Sequence, residues 1–253
     1  MTEKEIKIDI NSMYYWHYYT KKLDIPQPKT VGYKLTKKEI NTFWDERYPE
    51  GLTKKIIPLA RKIGFPCFLR TDYASGKHNY INSCYVEKEE DLPSHIYEVI
   101  EDNMLAGILG FPFKVLFFRE YIELESKFKA FWGKLPIAKE RRYFIKDQSI
   151  QCHHPYWPIK AIEMADTEDY EILLEELNKE SEEEIELLSN YTLKVGEALK
   201  IHNYWSVDFA FGINKIWYLI DIAVGEESFH WLDCKYCPDK MRKQYQRYIN
   251  SKK

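Results

Sequence analysis

No stretch of the 253-residue chain approaches the roughly 18 consecutive apolar residues of a membrane span, and the opening MTEKEIKIDI is too polar for a secretory leader. The expected location is therefore the cytoplasm, with no membrane partner. Cysteine is scarce and odd in number: Cys67, Cys84, Cys152, Cys234 and Cys237 are all there are. That excludes a disulfide framework and fits a reducing compartment. Cys234 and Cys237 form a CxxC with His230 four residues earlier, but without a second pair the thiols read as chance rather than as a zinc site. Excess charge of either sign is also missing, since 37 basic minus 40 acidic residues gives −3. A broad basic field for nucleic acid is thereby excluded, and RNA ranks low among partners. Internal repeats, low-complexity segments and a Walker phosphate-loop sequence are absent as well.

What is present suits a folded chain: a hydrophobic fraction of 45% is ample for a core in one large domain or two small ones. Tyr14, Tyr15, Trp16, Tyr18 and Tyr19, beside Ile10 and Met13, read as a helix packed onto the body. Pro26 and Pro28 break it. Thr36 and Glu39 stand in capping-box spacing, with Leu35 and Ile40 as the staple, and predict a helix to about Arg47. Leu52 to Ile63 continues as an amphipathic segment with a kink at Pro58.

From Phe65 the period changes. FPCFLR reads as a buried strand and TDYASGKHNY as a polar loop. Arg70 at the strand end and Lys77 beyond Gly76 are candidate phosphate contacts, although any surface turn can carry a lysine. Ser83 to Glu87 reads as a returning strand, Pro93 to Leu105 as a helix and Lys114 to Ile122 as a strand, followed by a linker rich in Lys and Phe. Ile137 to Lys146 and Ser149 to His154 predict a hairpin around Asp147 and Gln148. Alternation puts Glu140 and Arg142 on one face and Arg141 on the other, and it separates His153 from His154. PYWP reads as a rigid connection. Two helices follow, Glu168 to Asn178 and Glu182 to Lys200, the second with Ser181 and Glu184 as its capping box. Glu182, Glu183 and Glu184 read as a solvated face. The tail from Lys240 is basic and helical.

Two acids carry the strongest chemical signal. Trp205 to Phe211 and Ile216 to Ala223 read as apolar strands joined around Gly212 and Asn214, and each holds one carboxylate, Asp208 and Asp221. An isolated carboxylate in an apolar strand is costly to bury without a cation or donors. Two on adjacent strands suggest one shared cation.

Together these segments resemble an ATP-grasp protein, and more closely a compact ATP-grasp clade of bacteria and phages, over about Phe65 to Trp231. The resemblance implies an α+β ATP-grasp fold, in which two α+β lobes with antiparallel sheets enclose a nucleotide cleft, preceded by a small helical N-terminal region. Residues 1–64 would be that region, 65–122 the first lobe with its phosphate loop and hinge strand, and 123–253 the second lobe with its metal-binding strands and basic tail. FLRTDYASGK is similar to the family's phosphate-binding strand and loop, which gives Arg70 and Lys77 to the ATP phosphates. FFREYI resembles the strand between the lobes and places Glu120, with the backbone near Tyr121 and Ile122, at the amino edge of the adenine. ERRYF resembles the Glu-x-Arg strand, so Glu140 and Arg142 inherit nucleotide or substrate contacts. VDFA and LIDIA resemble the strands that present Mg²⁺ ligands, which assigns Asp208 and Asp221. Ala223 stands where the family has Asn, a lost ligand that Glu226 or Glu227 would replace.

The activity implied is ATP- and Mg²⁺-dependent joining of a carboxylate to an amine-type nucleophile through an acylphosphate, with Arg70, Lys77 and Arg142 as catalytic residues. Its substrates are unidentified, a peptide or another macromolecule's end among them. Two other readings stand beside it. One is an ATP-binding assembly factor without turnover, resembling the eukaryotic ATP-grasp proteins that help assemble a translation initiation factor, and Ala223 favours it. The other is nucleotidyl or phosphoryl transfer to RNA along Arg141, Lys146 and the basic tail, which the near-neutral charge opposes.

Overall fold

Four consecutive apolar residues, Val115 to Phe118, require partners on both faces of a strand, and the computed structural model, which describes residues 9–107 and 113–251, supplies them. In chain order come α1 (Met13–Thr20), β1 (Thr30–Lys34), α2 (Lys37–Trp44), α3 (Leu52–Ile63), β2 (Cys67–Thr71), β3 (Tyr85–Val86), α4 (Leu92–Gly107) and β4 (Val115–Glu120). Then follow β5 (Ser126–Ala130), β6 (Leu135–Ala138), β7 (Glu140–Lys146), β8 (Ser149–Pro155), α5 (Tyr170–Asn178), α6 (Glu182–Ala198), β9 (Tyr204–Phe211), β10 (Trp217–Val224) and α7 (Asp239–Ser251). One antiparallel sheet has the order β1-β4-β2-β3, a second β10-β9-β7-β8, and β5 and β6 form a separate hairpin.

β4 sits between two cores. Leu116 and Phe118 join Phe43, Leu52, Ile56, Leu69 and Ile96 on the α2, α3 and α4 side. Val115 and Phe117 join Met13, Trp16, Trp205 and Leu219 on the other. A third cluster, with Phe128, Ile137, Trp157 and Leu174, fills the space around the β5–β6 hairpin. The buried Asp72 carboxylate ties these layers at one corner, accepting from Ser12 Oγ (2.8 Å), Lys114 N (2.8 Å) and Val115 N (3.0 Å).

The capping box at Thr36 and Glu39 forms as the spacing predicts. The helix it opens stops at Trp44, short of Arg47, because Glu46 takes a left-handed conformation at φ 55. Asp147 and Gln148 turn the β7–β8 hairpin with φ of 48 and 62, the twist a tight two-residue turn needs. The expected linker after β4 is instead the β5–β6 hairpin, and it takes Ile137 away from β7. Of residues 9–64, β1 pairs with β4, and α1 packs against Tyr143, Trp205 and Leu219 of the second sheet.

Glu184 corrects the reading of a solvated acidic face. It is 6% exposed, and its oxygens pair with Arg141 Nε (2.5 Å) and Lys139 Nζ (2.6 Å) instead of closing a capping box. Arg141 is fully buried and also donates to the carbonyls of Glu140 and Lys179. Removing Arg141 leaves the buried Glu184 carboxylate with Lys139 alone and the Glu140 and Lys179 carbonyls without this donor. Arg141→Met is therefore expected to lower unfolding free energy by about 3–5 kcal/mol. Adding Glu184→Leu should recover part of that loss in urea denaturation, and a neutral single variant would contradict the buried pair.

Candidate active site in the cleft between the lobes

The site begins with strand register. In the first sheet Arg70 lies opposite Phe117, and Phe68 opposite Arg119, so both arginines project from the face that looks toward the second lobe. In the second sheet Arg142 pairs with Asp208 across β7 and β9, and Asp208 pairs with Asp221 across β9 and β10. That last pairing depends on a bulge. The ladder steps by one residue between Leu219 and Asp221, leaving Ile220 without a partner in it. Leu219 and Ile222 consequently both enter the core, although regular alternation would put them on opposite faces. Without the bulge Asp221 would sit opposite Val207 and point away from Asp208.

Between the two faces lies a cleft of about 440 Å³. Arg70, Lys77, Glu120, Tyr121, Ile122, Glu140, Asp208 and Asp221 all line it. Arg142 joins through Asp208, which accepts from its Nε (2.8 Å) and Nη2 (2.7 Å). Arg70 Nη1 crosses from the first lobe to Asp221 Oδ1 at 3.0 Å. Arg119 Nη1 crosses in the same direction and donates to the freed carbonyl of Ile220 at 2.7 Å.

Lys77 reaches the far wall of the cleft. Its ammonium donates to Tyr156 Oη (2.7 Å) and lies 4.0 Å from the centre of the Tyr156 ring and 4.6 Å from that of Trp157. Arg142 lies on the same tyrosine ring at 4.6 Å. Trp157 Nε1 donates to Glu140 Oε1 at 2.8 Å. Burial works to lower the Lys77 pKa, but the Tyr156 oxygen and Glu140 outweigh it and the net shift is upward. For Glu140, burial dominates over the nearby Lys77 and raises the carboxyl. Arg142 is pulled down by burial and more strongly up by Asp208, which leaves it raised.

Arg119 differs from the others. Burial, then the neighbouring Arg70 charge, lowers it to about 9, and its Nε has no hydrogen-bond partner among the described residues. A buried cation beside a second cation is costly unless an anion meets it. Sequence reading missed Arg119, and it missed Tyr156 and Trp157 in PYWP. The arginine was legible as the polar end of the KVLFFREYI strand; nothing in the sequence aims Tyr156 at Lys77.

The loop from Thr71 to Tyr80 is held by glycine geometry. Gly76 takes φ 61, and a Cβ there would strike Asp102 and Ser83. Gly133, in the β5–β6 turn, donates to His78 O (3.0 Å) and accepts from Ile81 N (3.1 Å), while the His78 ring stacks on Phe131. A side chain on Gly133 would run into the backbone of Asn79 and Tyr80.

Asp208 and Asp221 are adjacent hard oxygen donors, the type Mg²⁺ accepts. Their arginine contacts leave lone pairs over, since a carboxylate offers about four acceptor sites. The donor set therefore fits one such ion. Glu226 is not brought to it: its carboxylate pairs with His202 Nε2 at 3.0 Å, beyond the start of β9.

Two antiparallel sheets closing on this charged cleft are the ATP-grasp arrangement, and the chain has the ATP-grasp fold. Among solved structures, VanG D-Ala:D-Ser ligase from Enterococcus faecalis is similar at 12% identity over 88% of this chain and 55% of that chain, with a TM-score of 0.50. D-alanine–D-alanine ligase from Bacillus anthracis, complexed with ATP, aligns at 13% identity over 85% of this chain and 53% of that one, with a TM-score of 0.45. The ATP-grasp ligase PsnB, complexed with a minimal precursor, aligns at 8% identity over 97% and 62%, with a TM-score of 0.48. The chain thus spans between about half and three-fifths of the length of these neighbours. Neither a family model nor a curated protein matches the sequence.

The cationic cluster also reaches α1. Burial, then Arg119 and Lys21, lowers His17 to about 4. A histidine depressed in the folded state contributes stability above its unfolded value near 6.5, which is lost as pH falls toward the folded one. The melting temperature should therefore drop between about pH 6.5 and 4, and His17→Phe should lose less over that window. Equal slopes for the two proteins would remove His17 from the account.

Proposed function

We propose that the chain is an ATP-dependent ligase that activates a carboxylate as an acylphosphate and passes the acyl group to an amine-type nucleophile. The observation that carries this reading is the buried Arg70–Arg119 pair facing Asp208 and Asp221, in which the Arg119 Nε lacks a partner among the described residues. Such a row calls for a polyanion. Arg70, Arg119 and Lys77 would hold the phosphates and offset the charge that grows on the transferring phosphoryl group. Phe68, Tyr121 and Ile122 line the part of the cleft suited to a planar base. Glu120 there already accepts from Lys29 N at 3.1 Å and has acceptor capacity left for an amino edge. Tyr156 and Trp157, stacked under the cations, exclude water from the reacting end.

Asp208 and Asp221 would hold Mg²⁺, which when bound supplies further neutralisation of phosphate oxygens. The acyl step needs no nucleophile from the protein: a substrate carboxylate oxygen attacks the γ-phosphorus, ADP leaves, and the amine then displaces phosphate. A peptide or another macromolecular end is within the class of acceptors. Ala223, two residues beyond Asp221, favours a second reading in which ATP is bound without turnover.

Calorimetry with ATP and Mg²⁺ tests the site. Arg119→Met should weaken ATP binding by about tenfold to a hundredfold, as expected for lost charge-assisted bonds. Asp221→Asn should abolish the Mg²⁺-dependent part of the affinity, and Lys77→Ala should weaken ATP more than adenosine. Unchanged affinity in folded variants would overturn the assignment. Turnover is tested separately, with a panel of carboxylates and amines. ADP and phosphate released only when both are present support the ligase. ATP bound without ADP formation supports the binding reading, and AMP with pyrophosphate would replace both with nucleotidyl transfer.

A further inference from the structure

Away from the cleft, a second group of reactive side chains meets where β8 passes the segment that follows β10. Cys152, His230 and Cys234 bring two sulfurs and one imidazole nitrogen within 4.8 Å of one another. We propose that these three residues form a zinc-binding site with two thiolates and one imidazole as ligands. The spacing suits a tetrahedral ion: Zn–S of about 2.3 Å and Zn–N of about 2.0 Å place sulfur and nitrogen about 3.5 Å apart. Cys152 Sγ lies 3.7 Å from His230 Nδ1.

His230 is positioned for the role. It is fully buried, stacked on the Phe144 ring, and its Nε2 lies 2.8 Å from Tyr204 Oη. With Nε2–H donating to that oxygen, the lone pair sits on Nδ1 and faces the sulfurs, the way a second hydrogen bond fixes metal-ligating histidines. Burial keeps the imidazole neutral, lowering it to about 4, and burial with the adjoining Cys234 raises the Cys152 thiol. The half-buried Cys152 thiol thus has no cause of its own to ionise. Zinc provides one: each thiol releases its proton to solvent as a Zn–S bond forms, and two thiolates balance the ion's charge. Sulfur and imidazole ligands select such an ion over Mg²⁺ or Ca²⁺.

The CxxC of Cys234 and Cys237 read as chance in the sequence, and it does not supply the ligand pair. Cys237 instead turns its Sγ to the Pro238 carbonyl at 3.8 Å, and the second sulfur comes from β8. Three protein ligands leave the fourth position to water. The site would pin the segment before α7 to the second sheet. Arg242 of α7 already donates to the Cys234 carbonyl at 2.7 Å. On the other side, Arg142 reaches the carbonyl of Phe229, next to His230, at 3.3 Å, so the site adjoins the wall of the cleft.

The test is metal analysis of the full chain, purified under reducing conditions without chelator and titrated with zinc chloride. The native chain should bind about one zinc, Cys152→Ser and Cys234→Ser should lose it, and Tyr204→Phe should lower affinity by about tenfold or more. Cys84→Ser should leave zinc binding unchanged. A readout free of variants guards against misfolding: zinc should slow alkylation of Cys152 and Cys234 in the native chain, read by peptide mass. The proposal is overturned by no zinc uptake, by equal uptake in Cys152→Ser, by alkylation indifferent to zinc, or by a Cys152–Cys234 disulfide that forms under these conditions in place of metal binding.

Discussion

One extra residue in β10 determines what the cleft can be. The bulge at Ile220 changes the phase of the strand, so the same element buries Trp217 and Leu219 before it and Ile222 and Val224 after it. Asp221 thereby turns to the side of Asp208, and the Ile220 carbonyl, out of the ladder, becomes the acceptor for Arg119. The placement of Asp221 and the acceptors that Arg70 and Arg119 reach across the gap follow from this shift.

The charges then organise themselves across the gap. Arg70 and Arg119 come from the first sheet, whereas Asp208, Asp221 and Arg142 come from the second, so no strand carries both members of an interlobe contact. Charges this buried require fixed partners, and the aromatic floor of Tyr156 and Trp157 supplies part of that for Lys77 and Arg142. Arg119 Nε is left without a hydrogen-bond partner among the described residues.

Much of this was legible in the chain, where local rules decide. The capping box at Thr36, the alternation that separates Arg141 from Glu140 and Arg142, and the two strand acids all act over a few residues, and the sequence displays them. The resemblance to ATP-grasp proteins anticipated the architecture that the solved neighbours share. What stayed hidden depends on distant partners. The bulge at Ile220 is invisible because WYLIDIAV is apolar in both phases. Strand β1 is short and partly polar, so only its pairing with β4 reveals it. Glu184 lay in a run of glutamates, and nothing local marks it as the partner of Arg141, 43 positions away. Glu226 was assigned by proximity in sequence, but the chain turns it toward His202.

The loop from Thr71 to Tyr80 is tied to the β5–β6 turn at Gly133. Both hydrogen bonds of the tie join main-chain atoms, Gly133 N to His78 O and Ile81 N to Gly133 O. Anchorage of this kind is blind to side-chain identity, except at Gly133, where a Cβ has no room. Exposed side chains beside this tie, those of Ile81 and Asn82 among them, can therefore be exchanged for other chemistries while the backbone position is kept. The sequence can change there by ordinary point substitution, with Gly76 and Gly133 as the fixed points.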